Sequence, residues 1–142
     1  MLVDSLFERT ESMAGRIMVI DDTPAMLAVY QELLTDEGYE VVLYHQPPAD
    51  ASEAAREQPD LVILDWVFGR EQLGRHACQQ LKDYLPTKDI PVLICTAATV
   101  EIQQDEAYLR AQGADILNKP FDVNELLERV EHALLSHALE GP

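Results

Sequence analysis

The amino-acid sequence predicts an α/β protein with an open, doubly wound sheet of five parallel strands, built from five consecutive βα units. Three observations predict this class. Short apolar runs alternate with longer amphipathic stretches from residue 16 onward. The apolar runs are nearly continuous, which is typical of parallel strands that helices cover on both faces. Capping residues and glycines mark the ends of the longer stretches, as expected of helices.

Five segments have the character of short buried strands, because each is an apolar run bounded by polar or turn-forming residues. If their spatial order is 2-1-3-4-5, the first and third strands are neighbours at the point where the strand order reverses. The five predicted strands are residues 16–20, 41–44, 61–64, 91–95 and 115–118.

The first two predicted helices have recognisable starts. Thr23 is placed as the N-cap of the first helix, with Pro24 in the first helical position and Gly38 just beyond the last turn. Asp50, followed three residues later by Glu53, opens a short second helix. These signals place a helix after each of the first two strands.

The other three helices are predicted from their periodicity and their ends. Residues 72–84 form the third helix, and residues 101–112, closed by Gly113, form a single fourth helix. Asp122 and Glu125 resemble a capping box at the start of the fifth helix. That helix carries an apolar stripe at helical spacing, formed by Val123, Leu126, Leu127, Val130 and Leu134.

Composition excludes several classes of function. The 142-residue chain has 26 acidic and 10 basic residues, which gives a formal net charge of −16 at pH 7. Nucleic acid and anionic membrane surfaces attract clustered Lys and Arg, so we expect neither as a direct partner. Cys78 and Cys95 fit no metal-ligand spacing, and we expect them to be reduced packing residues of a cytoplasmic protein.

We expect one folded domain. The length suits a single core, and a hydrophobic content of 47% argues against a disordered chain. The predicted domain covers residues 16–138, with an N-terminal extension at residues 1–15 and a tail at residues 139–142.

Polar side chains follow four of the predicted strands. Asp21 and Asp22 come directly after the first strand and Asp65 after the third, while Thr96 ends the fourth and Lys119 the fifth. Ligands of open α/β sheets bind at the carboxyl ends of the strands, where the order reverses. We therefore expect three carboxylates, a hydroxyl and an ammonium group in one crevice.

These residue types suit phosphoryl transfer. Mg²⁺ prefers hard oxygen ligands, and it usually binds through one or two carboxylates together with phosphate oxygens. An aspartate can act as a nucleophile and form an acyl phosphate. A metal ion, a lysine and a hydroxyl can stabilise the charge that develops on the transferred group. The crevice is thus predicted to be a phosphoryl-accepting aspartate site.

Four motifs give the chain a family resemblance. They are VIDD ending at Asp22, PDLVILD ending at Asp65, PVLICTA with Thr96, and NKPF with Lys119. With these motifs in this order, residues 16–138 resemble the receiver domain of two-component response regulators. The resemblance implies the flavodoxin-like receiver fold with strand order 2-1-3-4-5.

The resemblance also implies roles for individual residues. Asp65 is expected to be the phosphoacceptor and, with Asp22, a direct ligand of Mg²⁺, while Asp21 binds the ion through water. The backbone carbonyl of Val67 completes the protein ligands. No other cofactor is expected.

Two further residues complete the expected site. Thr96 is expected to hydrogen-bond the phosphoryl group and Lys119 to pair with it. The bond from Lys119 to Pro120 is expected to be cis, as is usual in receivers. Such a domain assists its own phosphorylation and dephosphorylation and is not a metabolic enzyme in the ordinary sense.

The sequence departs from typical receivers in two places. Residues 66–69 read Trp-Val-Phe-Gly where a Met-Pro pair is usual, and Gly74 comes one residue late, which predicts a longer loop. Trp66 is expected to be half-buried beside the site. Ile116 occupies a position that is usually aromatic, so the usual rotation of an aromatic side chain cannot carry the signal.

The expected partners are a sensor histidine kinase or phosphotransfer protein as donor, and a downstream protein with a basic or neutral docking surface. A homodimer is possible. A receiver-like interaction module that is never phosphorylated is the alternative function. A third reading is a phosphohydrolase with an aspartate nucleophile, but those enzymes typically carry Asp-x-Asp, whereas Asp21 and Asp22 are adjacent.

Overall fold

The computed structural model describes residues 15–67, 71, 73–97 and 99–140. Five parallel strands form one sheet in the spatial order β2-β1-β3-β4-β5, which confirms the predicted fold class and strand order. The strands are β1 (Arg16–Ile20), β2 (Glu40–Tyr44), β3 (Leu61–Leu64), β4 (Val92–Thr96) and β5 (Ala114–Asn118).

Helices follow each strand along the chain. Within the described residues they are α1 (Pro24–Asp36), α2 (Ala51–Glu57), α3 (Leu73–Asp83), α4 (Thr99–Gln103), α5 (Glu106–Ala111) and α6 (Val123–Glu140). None of them combines the length and the apolar character that a membrane span requires. The predicted N-terminal extension lies almost wholly outside the described residues, so it stays a prediction, as does the boundary of the C-terminal tail.

The core consists of one apolar layer on each face of the sheet. In β1, Met18 and Ile20 point to one face, and Ile17 and Val19 to the other. The first face packs against α2, α3 and α5, and the second against α1 and α6. Because both faces are covered, strand residues are buried without a polar alternation, as the nearly continuous apolar runs predicted.

The start of α1 lies at its predicted position, but the expected side-chain cap does not form. Thr23 is the N-cap residue and Pro24 begins the helix, yet the Thr23 hydroxyl makes no capping bond. The backbone N–H of Thr23 instead donates to Asp21 Oδ1 at 2.9 Å. At the other end Gly38 has φ +91°, the left-handed conformation that a helix end of this kind requires.

Asp50 and Asp122 each hold the first turn of a helix. Asp50 Oδ1 accepts from the backbone N–H of Ser52 and of Glu53, which confirms it as the N-cap of α2. Asp122 Oδ1 accepts from the N–H of Asn124 at 2.8 Å. The side chain of Glu125 lies 3.8 Å from Arg129, so it forms an ion pair along α6.

The single fourth helix predicted over residues 101–112 is wrong, because two short helices, α4 and α5, occupy this part of the chain. Asp105 separates them. Its N–H donates to the carbonyl of Ile102 in a tight turn, and its own carbonyl accepts from Leu109 in the first turn of α5. Aspartate favours turns and helix starts over helix interiors, which is the physical reason for the break.

Asp115 of β5 connects two helices through their arginines. Its Oδ1 accepts from Arg110 of α5 and from Arg129 of α6, each at 2.9 Å. Arg129 also donates to the carbonyl of Ile116 at 3.1 Å. Burial acts to raise the pKa of Asp115, but the bonds from Arg129 and from the Ile116 amide, with the guanidinium charges, outweigh it and lower the pKa.

We expect Asp115→Asn to destabilise the protein by about 1 kcal/mol at pH 7, because the side chain is partly exposed and its ion pairs are screened. Because folding lowers the pKa of Asp115, its ionised carboxylate stabilises the folded protein at pH values above the ordinary aspartate pKa. This contribution is lost as the pH falls from about 4 downward. Urea unfolding from pH 7 to pH 3 measures this effect. Asp36→Asn, at an exposed site on α1, is the control. A cost that is equal at both pH values would contradict the prediction.

Candidate functional site

Three carboxylates meet at the carboxyl edge of the sheet. Asp21 and Asp22 follow β1 and Asp65 follows β3, and one ligand oxygen of each lies within 4.8 Å of the others. Backbone bonds extend the sheet to reach them. Asp65 N–H donates to the carbonyl of Ile20 at 2.9 Å, and Asp21 N–H donates to the carbonyl of Tyr44 at 3.0 Å. The sheet therefore fixes the backbone of two of the three acids.

Lys119 reaches this cluster from the end of β5. Its Nζ lies 2.6 Å from Asp21 Oδ2 and 3.6 Å from Asp65 Oδ2. Its backbone N–H donates to the carbonyl of Thr96 at 2.9 Å, which extends the β4–β5 pairing. The following peptide bond, to Pro120, is cis as expected.

The acids differ in exposure. The Asp21 side chain is buried, Asp65 is 9% exposed, and Asp22 is open to solvent. Thr96 is buried at the end of β4, beside Asn118 of β5 in the strand register. The structure thus gathers the three predicted carboxylates and Lys119 at one edge, and Asp22 marks the side from which a ligand can enter.

Burial and charge shift the proton affinities in the pocket. Burial raises the pKa of Asp65, the Lys119 ammonium opposes this, and the Asp21 charge adds to it, so the net shift is upward. Burial acts to lower the pKa of Lys119, but its hydrogen bond with Asp21 and the nearby carboxylate charges raise it overall. Lys119 therefore stays protonated and supplies the positive charge within the pocket.

Two neutral groups lie beneath the acids. The pKa of Tyr30 is raised by burial first, then by the Cys95 thiol and by the charges of Asp21 and Asp65. Burial raises the pKa of Cys95 to about 12. Both side chains are buried and uncharged at neutral pH, so they add no charge to the site. Cys78 is buried as well, and both thiols are free, as predicted.

Trp66, next to Asp65, is fully buried, so the expectation of a half-buried side chain is wrong. Its backbone N–H donates to Asp65 Oδ1 at 2.8 Å. Its carbonyl accepts from Gly74 N–H at 3.1 Å, which brings the start of α3 against this segment. The indole then joins the apolar layer that contains Ala77 and Cys78 of α3.

Gly74 is a position beside the site at which the packing of α3 requires glycine. A Cβ at this residue would lie 2.1 Å from the carbonyl oxygen of Asp65 and 2.6 Å from Trp66 Cα. Only glycine fits such a contact with backbone atoms. Its appearance in the first turn of a predicted amphipathic helix was the available signal.

Several predicted features cannot be placed. Residues 68–70 and 72 of the loop lie outside the described residues, so the longer loop stays a prediction. Val67 is half-buried and packs against the core, and the role of its carbonyl stays a prediction too. Ile116 is buried in the same apolar layer as Trp66.

The donor set fits a magnesium ion. Asp21, Asp22 and Asp65 offer only carboxylate oxygens, the hard ligands that Mg²⁺ prefers. Their ligand atoms are close enough to share one ion, and the like charges at this spacing require a counter-charge. Lys119 supplies part of that charge.

A family model described as the response regulator receiver domain matches residues 17–131. The chain belongs to this family. Receivers are the phosphoacceptor modules of two-component signalling and generally use Mg²⁺ at an acidic pocket, which agrees with the cluster described above.

Two curated relatives of this receiver are longer proteins. Response regulator PleD of Caulobacter vibrioides is 36% identical over 118 residues, which are 83% of this chain and 26% of PleD. The DNA-binding dual master transcriptional regulator RpaA of Synechocystis sp. is 37% identical over 119 residues, which are 84% of this chain and 48% of RpaA. The receiver therefore spans about half or less of the length of these relatives.

A solved structure shares the fold of the receiver. The response regulator receiver domain protein (CheY-like) from Methanospirillum hungatei superimposes with a TM-score of 0.69 and 25% sequence identity. The match covers 89% of this chain and 98% of the other. The similarity thus extends over nearly the whole βα framework.

Proposed function

We propose that Asp65 is the phosphoacceptor of this receiver. The observation that supports this most directly is the position of its carboxylate, 3.6 Å from the Lys119 ammonium and within ligand distance of Asp21 and Asp22. In the proposed step, a carboxylate oxygen of Asp65 attacks the phosphorus atom of a phosphohistidine. A new O–P bond forms, the N–P bond breaks, and the imidazole leaves with the electron pair of that bond.

The neighbouring side chains stabilise the product. Lys119 has two carboxylate partners, so its ammonium can move from Asp21 toward phosphoryl oxygens on Asp65. Thr96 is proposed to donate its hydroxyl to the same group, because it ends the strand next to β3. The backbone N–H of Trp66 already donates to Asp65 Oδ1, so the other carboxylate oxygen, Oδ2, is the one near Lys119.

We propose that Mg²⁺ is held by Asp22, Asp65 and the carbonyl of Val67, with Asp21 binding through water. The bound ion supplies positive charge for the phosphoryl oxygens. The raised pKa of Asp65 in the metal-free pocket agrees with a site that requires such charge.

A histidine kinase or a phosphotransfer protein is the proposed donor, and a downstream protein is the proposed target. α6 exposes Glu125, Glu128 and Glu131, with Val123 and Leu135 as exposed apolar residues. This acidic face suits a target with a basic or neutral surface. Homodimerisation is a further possibility for the same face. Response regulators are generally cytoplasmic, which supports the cytoplasm as the proposed location.

Acetyl phosphate with Mg²⁺ tests the assignment of Asp65. We expect intact-mass measurement to find one added phosphoryl group on the unaltered protein and none on Asp65→Asn. Asp36→Asn, with the same change at an exposed site on α1, should be phosphorylated normally. The single tryptophan, Trp66, should report the reaction by fluorescence, because its backbone N–H donates a hydrogen bond to the Asp65 carboxylate.

The other outcomes distinguish the rival functions. A phosphoryl group that remains on Asp65→Asn would show that another residue accepts it. If the unaltered protein gives no adduct and no response to beryllofluoride, an interaction module is favoured. Continuous release of phosphate from a phosphate ester would favour a hydrolase.

A further inference from the structure

Two contacts connect the loop between β5 and α6, which carries Lys119, to the first βα unit. The first contact is the ion pair of Lys119 with Asp21, the residue that follows β1. The second is apolar and lies two residues further along the loop, where the ring of Phe121 packs against the ring of Tyr30 on α1. The loop is therefore held to one βα unit by a charge contact and by an aromatic contact.

The aromatic contact is a defined ring pair. The centroids of the Tyr30 and Phe121 rings are 5.9 Å apart, and the planes of the rings are inclined at 37°. Rings that pack at about 4.5–7 Å without lying directly face to face attract each other beyond their apolar burial. Tyr30 is fully buried and Phe121 is half-buried. The ring of Tyr30 is thus fixed in the core, and Phe121 is held against it.

The hydroxyl of Tyr30 is not the group that makes this contact. It is buried beside the Cys95 thiol, which is a weak hydrogen-bonding group, and it makes no ordinary hydrogen bond within the described part of the chain. The charges of Asp21 and Asp65 also act on it, so this end of the side chain lies close to the acidic pocket. The aromatic ring is therefore the part of Tyr30 that can position the loop.

The backbone of Lys119 is restrained on both sides. Its N–H donates to the carbonyl of Thr96 at 2.9 Å. On the other side only Pro120 separates it from Phe121, and the pyrrolidine ring fixes one of the two backbone dihedral angles of that residue. A displacement of Phe121 would therefore displace the backbone of Lys119 as well.

We propose that Tyr30 is a positioning residue for Lys119. By holding Phe121, it keeps the ammonium group 2.6 Å from Asp21 Oδ2 and 3.6 Å from Asp65 Oδ2. When Lys119 leaves Asp21 for the phosphoryl group, the ring pair is the contact that still restrains the loop. This later role rests on the proposed function of Asp65, whereas the positioning of Lys119 before phosphorylation does not.

A double-mutant cycle in the metal-free protein tests the positioning without any phosphorylation. Urea unfolding gives the factor by which Lys119→Met raises the unfolding equilibrium constant, in the unaltered protein and in Tyr30→Leu. We expect this factor to be at least about threefold smaller in Tyr30→Leu, because an ammonium group that is already displaced contributes less. Leu34→Ala removes a buried side chain one turn further along α1, toward the amino edge of the sheet, and should leave the factor unchanged.

The rate of phosphorylation by acetyl phosphate with Mg²⁺ is the second measurement. Tyr30→Leu and Phe121→Leu should each slow the reaction by about tenfold, because a small displacement of a reacting group has a large effect on rate. Tyr30→Phe keeps the ring, and Leu34→Ala removes packing elsewhere on the same helix. Each of these two controls should stay within about twofold of the unaltered rate.

The proposal is overturned if the substitutions in the cycle are additive, or if Tyr30→Phe or Leu34→Ala slows phosphorylation as much as Tyr30→Leu does. Phe121→Leu, at a half-buried position, can replace Tyr30→Leu in the cycle, so the test stands even if Tyr30→Leu does not fold. If the unaltered protein accepts no phosphoryl group, the proposed function of Asp65 fails, and the cycle alone then decides for or against the role of Tyr30.

Discussion

Replacing Gly74 by alanine is expected to destabilise the protein by about 3 kcal/mol, because the added methyl group overlaps backbone atoms that cannot turn aside. The carbonyl oxygen of Asp65 and the Cα of Trp66 would lie 2.1 Å and 2.6 Å from the new Cβ. This overlap can be relieved only if α3 moves away from the segment that carries Asp65. We therefore also expect slower phosphorylation by acetyl phosphate in whatever protein remains folded.

Gly113→Ala separates this steric effect from backbone strain. Gly113 has φ +89°, but among the described residues a Cβ there would meet only Lys82 Nζ, at 3.7 Å. Its expected cost is about 1 kcal/mol, from the left-handed conformation alone. Urea unfolding of both variants gives the comparison. If the two variants lose equal stability, the overlap of the added methyl group with the Asp65 carbonyl does not destabilise the protein, and the prediction is wrong.

Lys119→Met is expected to destabilise the metal-free protein by about 3 kcal/mol, since it leaves two buried carboxylates without their counter-charge. Lys119 Nζ lies 2.6 Å from Asp21 Oδ2, and the side chain of Asp21 is almost fully buried. Methionine keeps the length and the apolar stem of lysine. The loss therefore reports the charge more than the packing.

Mg²⁺ should recover part of that loss, because it binds the folded state and supplies positive charge to the same carboxylates. Urea unfolding with and without Mg²⁺ is the measurement, and we expect a larger stabilisation by the ion in Lys119→Met than in the unaltered protein. Lys88→Met removes the same charge from an exposed lysine beside Asp89 and should change neither quantity appreciably. The prediction would be contradicted if Mg²⁺ raised the free energy of unfolding by the same amount in all three proteins.

Strands were predictable because burial on both faces imposes a plain pattern on the sequence, and the run from Leu61 to Leu64 is wholly apolar and wholly buried. The strand order was expected from the family resemblance, and the parallel pairing of β1 with β3 agrees with it. Helix starts were predictable where a side chain is the cap itself. Asp50 caps α2 as expected, whereas the hydroxyl of Thr23 makes no capping bond at the start of α1.

The break at Asp105 was missed because the prediction gave the ends of the segment more weight than the preference of aspartate for turns and helix starts. The burial of Trp66 was missed for a different reason, since it depends on a contact between segments that are distant in sequence. Trp66 is covered because Gly74 allows α3 to approach it. Local propensity does not contain that contact.

The composition of the site was predictable, and its internal pairing was not. Strand ends placed Asp21, Asp22, Asp65 and Lys119 at one edge of the sheet, and the structure gathers them there. The sequence offered no way to foresee that Lys119 lies closer to Asp21 than to Asp65. That preference follows from the full burial of Asp21 and from side-chain geometry.

The two arginines that hold Asp115 have a mechanical consequence. Arg110 and Arg129 join α5 and α6 to a single carboxylate on β5, and Arg129 also holds the carbonyl of Ile116. A displacement of β5 would therefore change the contacts of both helices at once. In a receiver with isoleucine where a rotating aromatic ring is usual, these bonds make the positions of α5 and α6 depend on the same strand.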